Sequence, residues 1–144
     1  MSERAVPIVR QASCVLVDGR ALLIEGPPGS GKSALALALI DRGAMLVGDD
    51  AVTLAPRDGT LWASPPPNIR GLLEIRNVGL VELPVAEGPV ALLVRLDREA
   101  PRHIEHPQRV IVCGTDLPEL ALFPDTPALP LRAEWALRRF GTTG

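Results

Sequence analysis

The stretch Gly26-Pro27-Pro28-Gly29-Ser30-Gly31-Lys32-Ser33 constrains this chain more than any other feature. It satisfies G-x-x-x-x-G-K-[ST] at every fixed position, and that pattern has a physical use only between a strand and a helix. Glycines let the backbone curl so that successive N–H groups turn toward phosphate oxygens. A helix starting at the loop's end adds its positive terminus. Both neighbours are legible. Ala21–Ile24 is an apolar run suited to a buried strand. Ser33–Arg42 is rich in Ala and Leu, which favours helix, and Gly43 follows where a left-handed cap is wanted. A Gly/Pro-rich surface turn would leave this order of strand, loop and helix to coincidence. The segment predicts a site for a nucleoside triphosphate, ATP with Mg²⁺. Gly26, Pro27, Pro28, Gly29, Ser30, Gly31, Lys32 and Ser33 would cradle the phosphates. Lys32 would reach the β- and γ-phosphates, and Ser33 would ligate the metal.

Composition sharpens that reading. Of 15 basic residues, 14 are Arg, and the single Lys is Lys32. Codon bias accounts for the arginines; a compact ammonium in the loop accounts for the exception. A net charge of -2 gives no electrostatic case for nucleic acid or an anionic membrane surface. No apolar run reaches the roughly 18 residues of a membrane span, and no secretory leader is evident. Cys14 and Cys113 belong to no CxxC pair and read as buried thiols of a cytoplasmic protein.

The 144 residues suit one domain, taken as 1–144. Residues 1–10 read as a loose or weakly paired start. Cys14–Val17 and Ala21–Ile24 flank Asp18-Gly19 and predict a hairpin. Met45–Val47, Ala51–Ala55, Thr60–Ala63, Leu72–Arg76, Gly79–Leu83, Val90–Leu96 and Val110–Cys113 read as further strands. Prolines at 101, 107, 118, 124, 127 and 130 predict an irregular late region. Glu134–Phe140 predicts a short closing helix. Many strands around one strong helix imply a mixed α/β domain rather than a repeated βαβ array.

Three carboxylates stand out. Asp49 and Asp50 end the strand after the helix, only 17 residues beyond Lys32. One can serve Mg²⁺, directly or through water, while the other takes a proton from an attacking hydroxyl. Glu74 and Arg76 would share one face of a strand, where a carboxylate and a guanidinium suit a metal and a transferring phosphoryl group, or form a structural ion pair.

These residues resemble the catalytic domain of the HPr kinase/phosphorylase family. Three segments carry the resemblance in order: LLIEGPPGSGKS (Leu22–Ser33), ALALIDRGAMLVGDD (Ala36–Asp50) and GLLEIRNVGLVEL (Gly71–Leu83). The last is similar to the family's Glu-Ile-Arg-Gly-x-Gly signature. The resemblance covers roughly residues 11–96 and fits the short, catalytic-domain-only form. It implies a mixed-sheet phosphate-loop fold shared with phosphoenolpyruvate carboxykinase. It also implies an HPr-like phosphocarrier of a phosphotransferase system as partner, and a homo-oligomer, usually a hexamer. Asp50 falls at the general base, with Asp49 beside it. Glu74 falls at a metal ligand, giving Ser33, Glu74 and Asp49 as the metal set. Arg76 and Lys32 complete the catalytic group with the two aspartates.

The chain departs from the pattern at defined places. Gln11 stands at the family's active-site His; Ala34, Ala44 and Met45 replace Glu, His and Arg; Asn77 replaces the signature's first Gly. A later family Arg maps to Arg102 only with gaps. The family's C-terminal loop for the phosphorylase reaction is not recognisable in 115–144. A serine kinase is therefore the expectation, with dephosphorylation of the same carrier as a less supported second activity, and a metabolite kinase or a non-catalytic ATP-binding regulator as the other classes compatible with the residues. His103 and His106 read as solvated loop residues, Trp62 and Trp135 as core or partly buried anchors, and Arg138-Arg139 as a solvated helix face.

Overall fold

A computed structural model describes residues 7–68, 71–125 and 127–142. Among these residues eleven strands and two helices run β1 (Ile8–Arg10), β2 (Ser13–Val17), β3 (Arg20–Glu25), α1 (Lys32–Asp41), β4 (Met45–Gly48), β5 (Val52–Arg57), β6 (Thr60–Ser64), β7 (Leu72–Ile75), β8 (Gly79–Glu82), β9 (Gly88–Leu96), β10 (Gln108–Val112), β11 (Thr115–Leu122) and α2 (Leu129–Phe140). Nine strands form one mixed sheet in the order β1-β5-β6-β9-β3-β2-β4, with β11 also on β9 and β10 on β11; β7 and β8 form a separate pair.

β3 and β9 are the centre of this sheet. They run parallel, with Ile24 opposite Val94, and β11 runs parallel to β9, with Leu122 opposite Leu96. Both faces of β3 and β9 are covered, which is why each reads as an unbroken apolar run. Leu22, Ile24, Leu92 and Val94 face α1 and α2 through Leu35, Leu39, Ala133 and Leu137. Leu23 and Leu93 face the other way, into a cluster with Val52, Leu54 and Leu61 of β5 and β6 and with Val112 and Leu117. The sheet thus curls so that its own strands close the side opposite the helices.

The expected hairpin of β2 and β3 forms, with Leu16 opposite Ala21. Gly43 caps α1 at φ 115° and donates to the Ile40 carbonyl at 3.0 Å, as its position after the helix predicts. Arg42 then ties α1 to α2 by an ion pair with Glu134 at 2.9 Å.

Of the expected loose or weakly paired start, Ile8–Arg10 is a short strand paired with Val52–Leu54, and the first six residues lie outside the described part. Three expectations need correction. Thr115–Leu122 is a full strand despite Pro118, because Pro118 precedes the stretch from Glu119 onward that pairs with β9. A proline is tolerated where its strand has a partner on one side only. The closing helix begins at Leu129, since Pro130 sits in its first turn, where a missing N–H costs nothing. Trp135 is 63% exposed, with Arg138 over its ring at 4.9 Å, so it anchors no core. Trp62, by contrast, is half-buried, bonded to Glu87 at 2.7 Å and covered by Arg57.

Candidate functional site

The loop Gly26–Ser33 leaves the carboxyl end of β3 and enters α1. No side chain caps α1, and its first turn carries no acid. The leading N–H groups of the helix are therefore free to meet an anion. Gly31 holds the N-cap at φ 104°, a conformation that favours glycine. Lys32 curls back so that its Nζ donates to the Gly26 carbonyl at 3.0 Å and the Pro27 carbonyl at 3.4 Å.

From β4 the chain turns sharply through Gly48-Asp49-Asp50. A Cβ on Gly48 would lie 2.1 Å from the Ala51 carbonyl oxygen, so only glycine fits there. Asp50 follows at φ 63°, with an exposed carboxylate. Asp and Asn tolerate this backbone region better than most residues. Asp49 points inward. Its Oδ1 accepts from Ser33 Oγ at 2.6 Å and from Ser13 Oγ at 3.0 Å, and its Oδ2 lies 3.4 Å from the Glu74 N–H. One carboxylate thus gathers the phosphate loop, β2 and β7.

Sequence reasoning named three of these groups and missed Ser13, which is fully buried between Ala12 and Cys14. Its only signal was a lone hydroxyl in an apolar run. The structure joins Asp49 to Ser33 and to the Glu74 backbone; the Glu74 side chain itself is exposed. Arg76 does not share a strand face with Glu74, because β7 ends at Ile75 and Arg76 lies exposed in the turn. Asn77, in place of the family's glycine, takes φ 70° in that turn.

Beside the loop lies a cavity of about 1020 Å³. Gly26–Ser30 form one wall; Gln11, Arg95, Asp97, Arg98 and Pro124 form much of the rest. It sits where the parallel strands β3, β9 and β11 end, the usual place for a ligand in an open α/β sheet. Arg10, also on this wall, pairs with Glu25 and Arg95 with Glu119. Arg102 instead lines a separate groove under α2, with Trp135 and Phe140. His103 and His106 are exposed and belong to no metal-holding cluster among the described residues.

The donor set suits Mg²⁺ held together with a triphosphate. Among the described residues no three His, Cys, Asp or Glu side chains converge on a metal position. A hydroxyl and one or two carboxylates are what Mg²⁺ takes from a protein when phosphates supply other ligands. The Ser30 hydroxyl is buried in the loop and has no hydrogen-bond partner among the described residues.

The family model described as HPr Serine kinase C-terminal domain matches residues 4–93. The chain belongs to this family. Among curated relatives, the HPr kinase/phosphorylase of Clostridium botulinum (strain Eklund 17B / Type B) is 42% identical over 94 residues, 64% of this chain and 31% of that protein. The HPr kinase/phosphorylase of Streptococcus thermophilus (strain ATCC BAA-491 / LMD-9) is 49% identical over 72 residues, 48% of this chain and 23% of that one. The chain spans about a third of the length of the first of these relatives. The HPr(Ser) kinase/phosphatase structure from Coxiella burnetii matches with a TM-score of 0.80 at 30% identity, over 92% of this chain and 89% of that one. The curled mixed sheet is thus the fold of an HPr kinase C-terminal domain.

Proposed function

We propose that residues 1–144 form one catalytic unit, an ATP- and Mg²⁺-dependent serine kinase acting on an HPr-like phosphocarrier protein. The observation that carries this reading is the 2.6 Å bond from Ser33 to Asp49, which sets that carboxylate against the end of the phosphate loop. Family membership and the printed names of the relatives support the choice of acceptor.

Loop N–H groups and the start of α1 would bind the triphosphate, and Lys32 would swing from the Gly26 carbonyl to the β- and γ-phosphates. Bound Mg²⁺ would neutralise charge developing on the transferring phosphoryl group, held through Ser33 with Asp49 and Glu74 close by. Asp50, exposed beside Asp49, would take the proton of the acceptor serine. Arg76 would reach the transferring group from the hairpin turn. Gln11 on the cavity wall cannot exchange a proton, which favours the forward transfer over dephosphorylation.

A radiolabel transfer assay tests this with Mg²⁺-ATP, the host's own HPr-like carrier and a serine-to-alanine carrier as control. Label on the wild-type carrier alone is expected. ATP binding without label on any carrier would overturn the serine-kinase reading in favour of a metabolite kinase or a nucleotide-binding regulator.

A further inference from the structure

We propose that Ser13 is a positioning residue for the loop serine, acting through Asp49 to set how Ser33 meets the metal. The proposal rests on the reading of Gly26–Ser33 as a triphosphate loop.

Ser13 is 0% exposed at the start of β2, one strand in from the sheet edge, and a buried hydroxyl is costly unless bonded. Its partner is a carboxylate 36 residues away, in the turn that follows β4. The backbone is shaped for this meeting. Cys14 pairs with Gly48, and the register of β2 against β4 shifts between Cys14 and Val15, a bulge beside the acid turn. Bulges re-aim side chains next to sites.

The chemistry follows from counting lone pairs. A carboxylate oxygen has two acceptor positions. Ser13 and Ser33 both donate to Asp49 Oδ1, at 3.0 and 2.6 Å, so both positions are filled. Two consequences result. The Ser33 proton is held on Asp49, which leaves the Ser33 lone pairs free to face a cation. And Oδ1 is closed to that cation, so Asp49 can meet it only at Oδ2, where the Glu74 N–H already lies at 3.4 Å. Removing the Ser13 hydroxyl frees one side of Oδ1 and lets the carboxylate rotate. Ser33 then loses its fixed acceptor, and a metal on Ser33 loses its fixed ligand.

The test measures binding of a fluorescent ATP analogue to the full chain, with Mg²⁺ and with EDTA, alongside thermal melting. Ser13→Ala is expected to lose about tenfold in affinity with Mg²⁺ while the EDTA value stays within about twofold of wild type. Ser13→Thr, which keeps the hydroxyl, should restore the Mg²⁺ value. A purely structural role would lower the melting temperature and shift both affinities together, or neither; either result overturns the proposal. If Ser13→Ala does not fold, Ser13→Cys carries the same comparison, because a thiol of similar size is only a weak donor. A Cys variant with the full wild-type Mg²⁺ effect overturns the proposal too. Failure of the wild-type chain to bind the analogue at all would instead sink the phosphate-loop reading, and the proposal with it.

Discussion

Ser33 and Asp49 lie 16 residues apart in sequence and meet at 2.6 Å, hydroxyl to carboxylate, across the gap between α1 and the end of β4. That bond makes the short spacing from loop to acid pair intelligible. A single helix returns directly to β4, which lies at the sheet edge beside β2, and the turn after β4 delivers Asp49 to the loop, with Asp50 next to it in sequence.

Asp49→Asn separates charge from shape. The amide keeps an oxygen for Ser13 and Ser33 but removes a negative charge that repels a triphosphate in the absence of metal. Nucleotide affinity in EDTA should hold or rise, while affinity in Mg²⁺ falls and phosphoryl transfer drops about 10²-fold or more. Titration calorimetry under both conditions checks this. Equal losses with and without Mg²⁺ would remove Asp49 from the metal's surroundings.

Asp50→Asn should leave ATP binding and melting temperature near wild type, because the carboxylate is exposed and Asn suits φ 63° equally well. Transfer should fall about 10²-fold or more, the scale for losing a general base. A variant with full transfer activity would discard Asp50 as the base.

Lys32→Ala should abolish detectable ATP binding or transfer with little effect on folding. Among the described residues the ammonium bonds only to the Gly26 and Pro27 carbonyls, partly in solvent, where screening holds such a contact to about 1 kcal/mol. Urea unfolding alongside a binding titration distinguishes the two effects. Retained ATP binding and transfer would remove Lys32 from the machinery.

Gly48→Ala should destabilise the chain by about 1–3 kcal/mol, because the new methyl meets a backbone oxygen that cannot rotate away. Displacing the turn moves Asp49 and Asp50 together, so Mg²⁺-dependent binding should weaken in the same variant. Unfolding within about 0.5 kcal/mol of wild type would mean that the turn is looser than its contacts imply.

Much of this site was legible because its parts are local. The loop, its flanking strand and helix, and the acid pair each follow from a short run of residues with one physical job. Ser13 was not legible, since its role exists only once β2 and β4 pair and bring a strand hydroxyl to a distant carboxylate. The prolines misled for a related reason. Pro118 and Pro130 break regular structure only if a donor is needed at those positions, and need is set by tertiary neighbours: β9 begins its pairing after Pro118, and α2 starts beside Pro130. The exposure of Trp135 likewise depends on which face α2 turns to the sheet. That face carries Leu129, Ala133, Ala136 and Leu137, of which the expected helix Glu134–Phe140 held only the last two.

Asn77 offers a test in which family pattern and backbone physics agree. The signature has glycine where this chain has Asn77, and the backbone there sits at φ 70°, with the Val78 N–H donating to the Ile75 carbonyl at 2.9 Å. The position needs a residue that enters the left-handed region cheaply, and Asn is one of the few besides glycine. Asn77→Gly should therefore be near neutral in urea unfolding. Asn77→Val should cost about 1–2 kcal/mol, the penalty for forcing a side chain into that region, and more than Asn77→Gly by most of that amount. The effect should reach the site, because Glu74 in the same hairpin donates its N–H to Asp49. Asn77→Val should accordingly weaken Mg²⁺-nucleotide binding more than nucleotide binding in EDTA. If Asn77→Val unfolds like wild type, the turn does not hold the backbone as described, and the hairpin would be held by burial of Leu73 rather than by its turn.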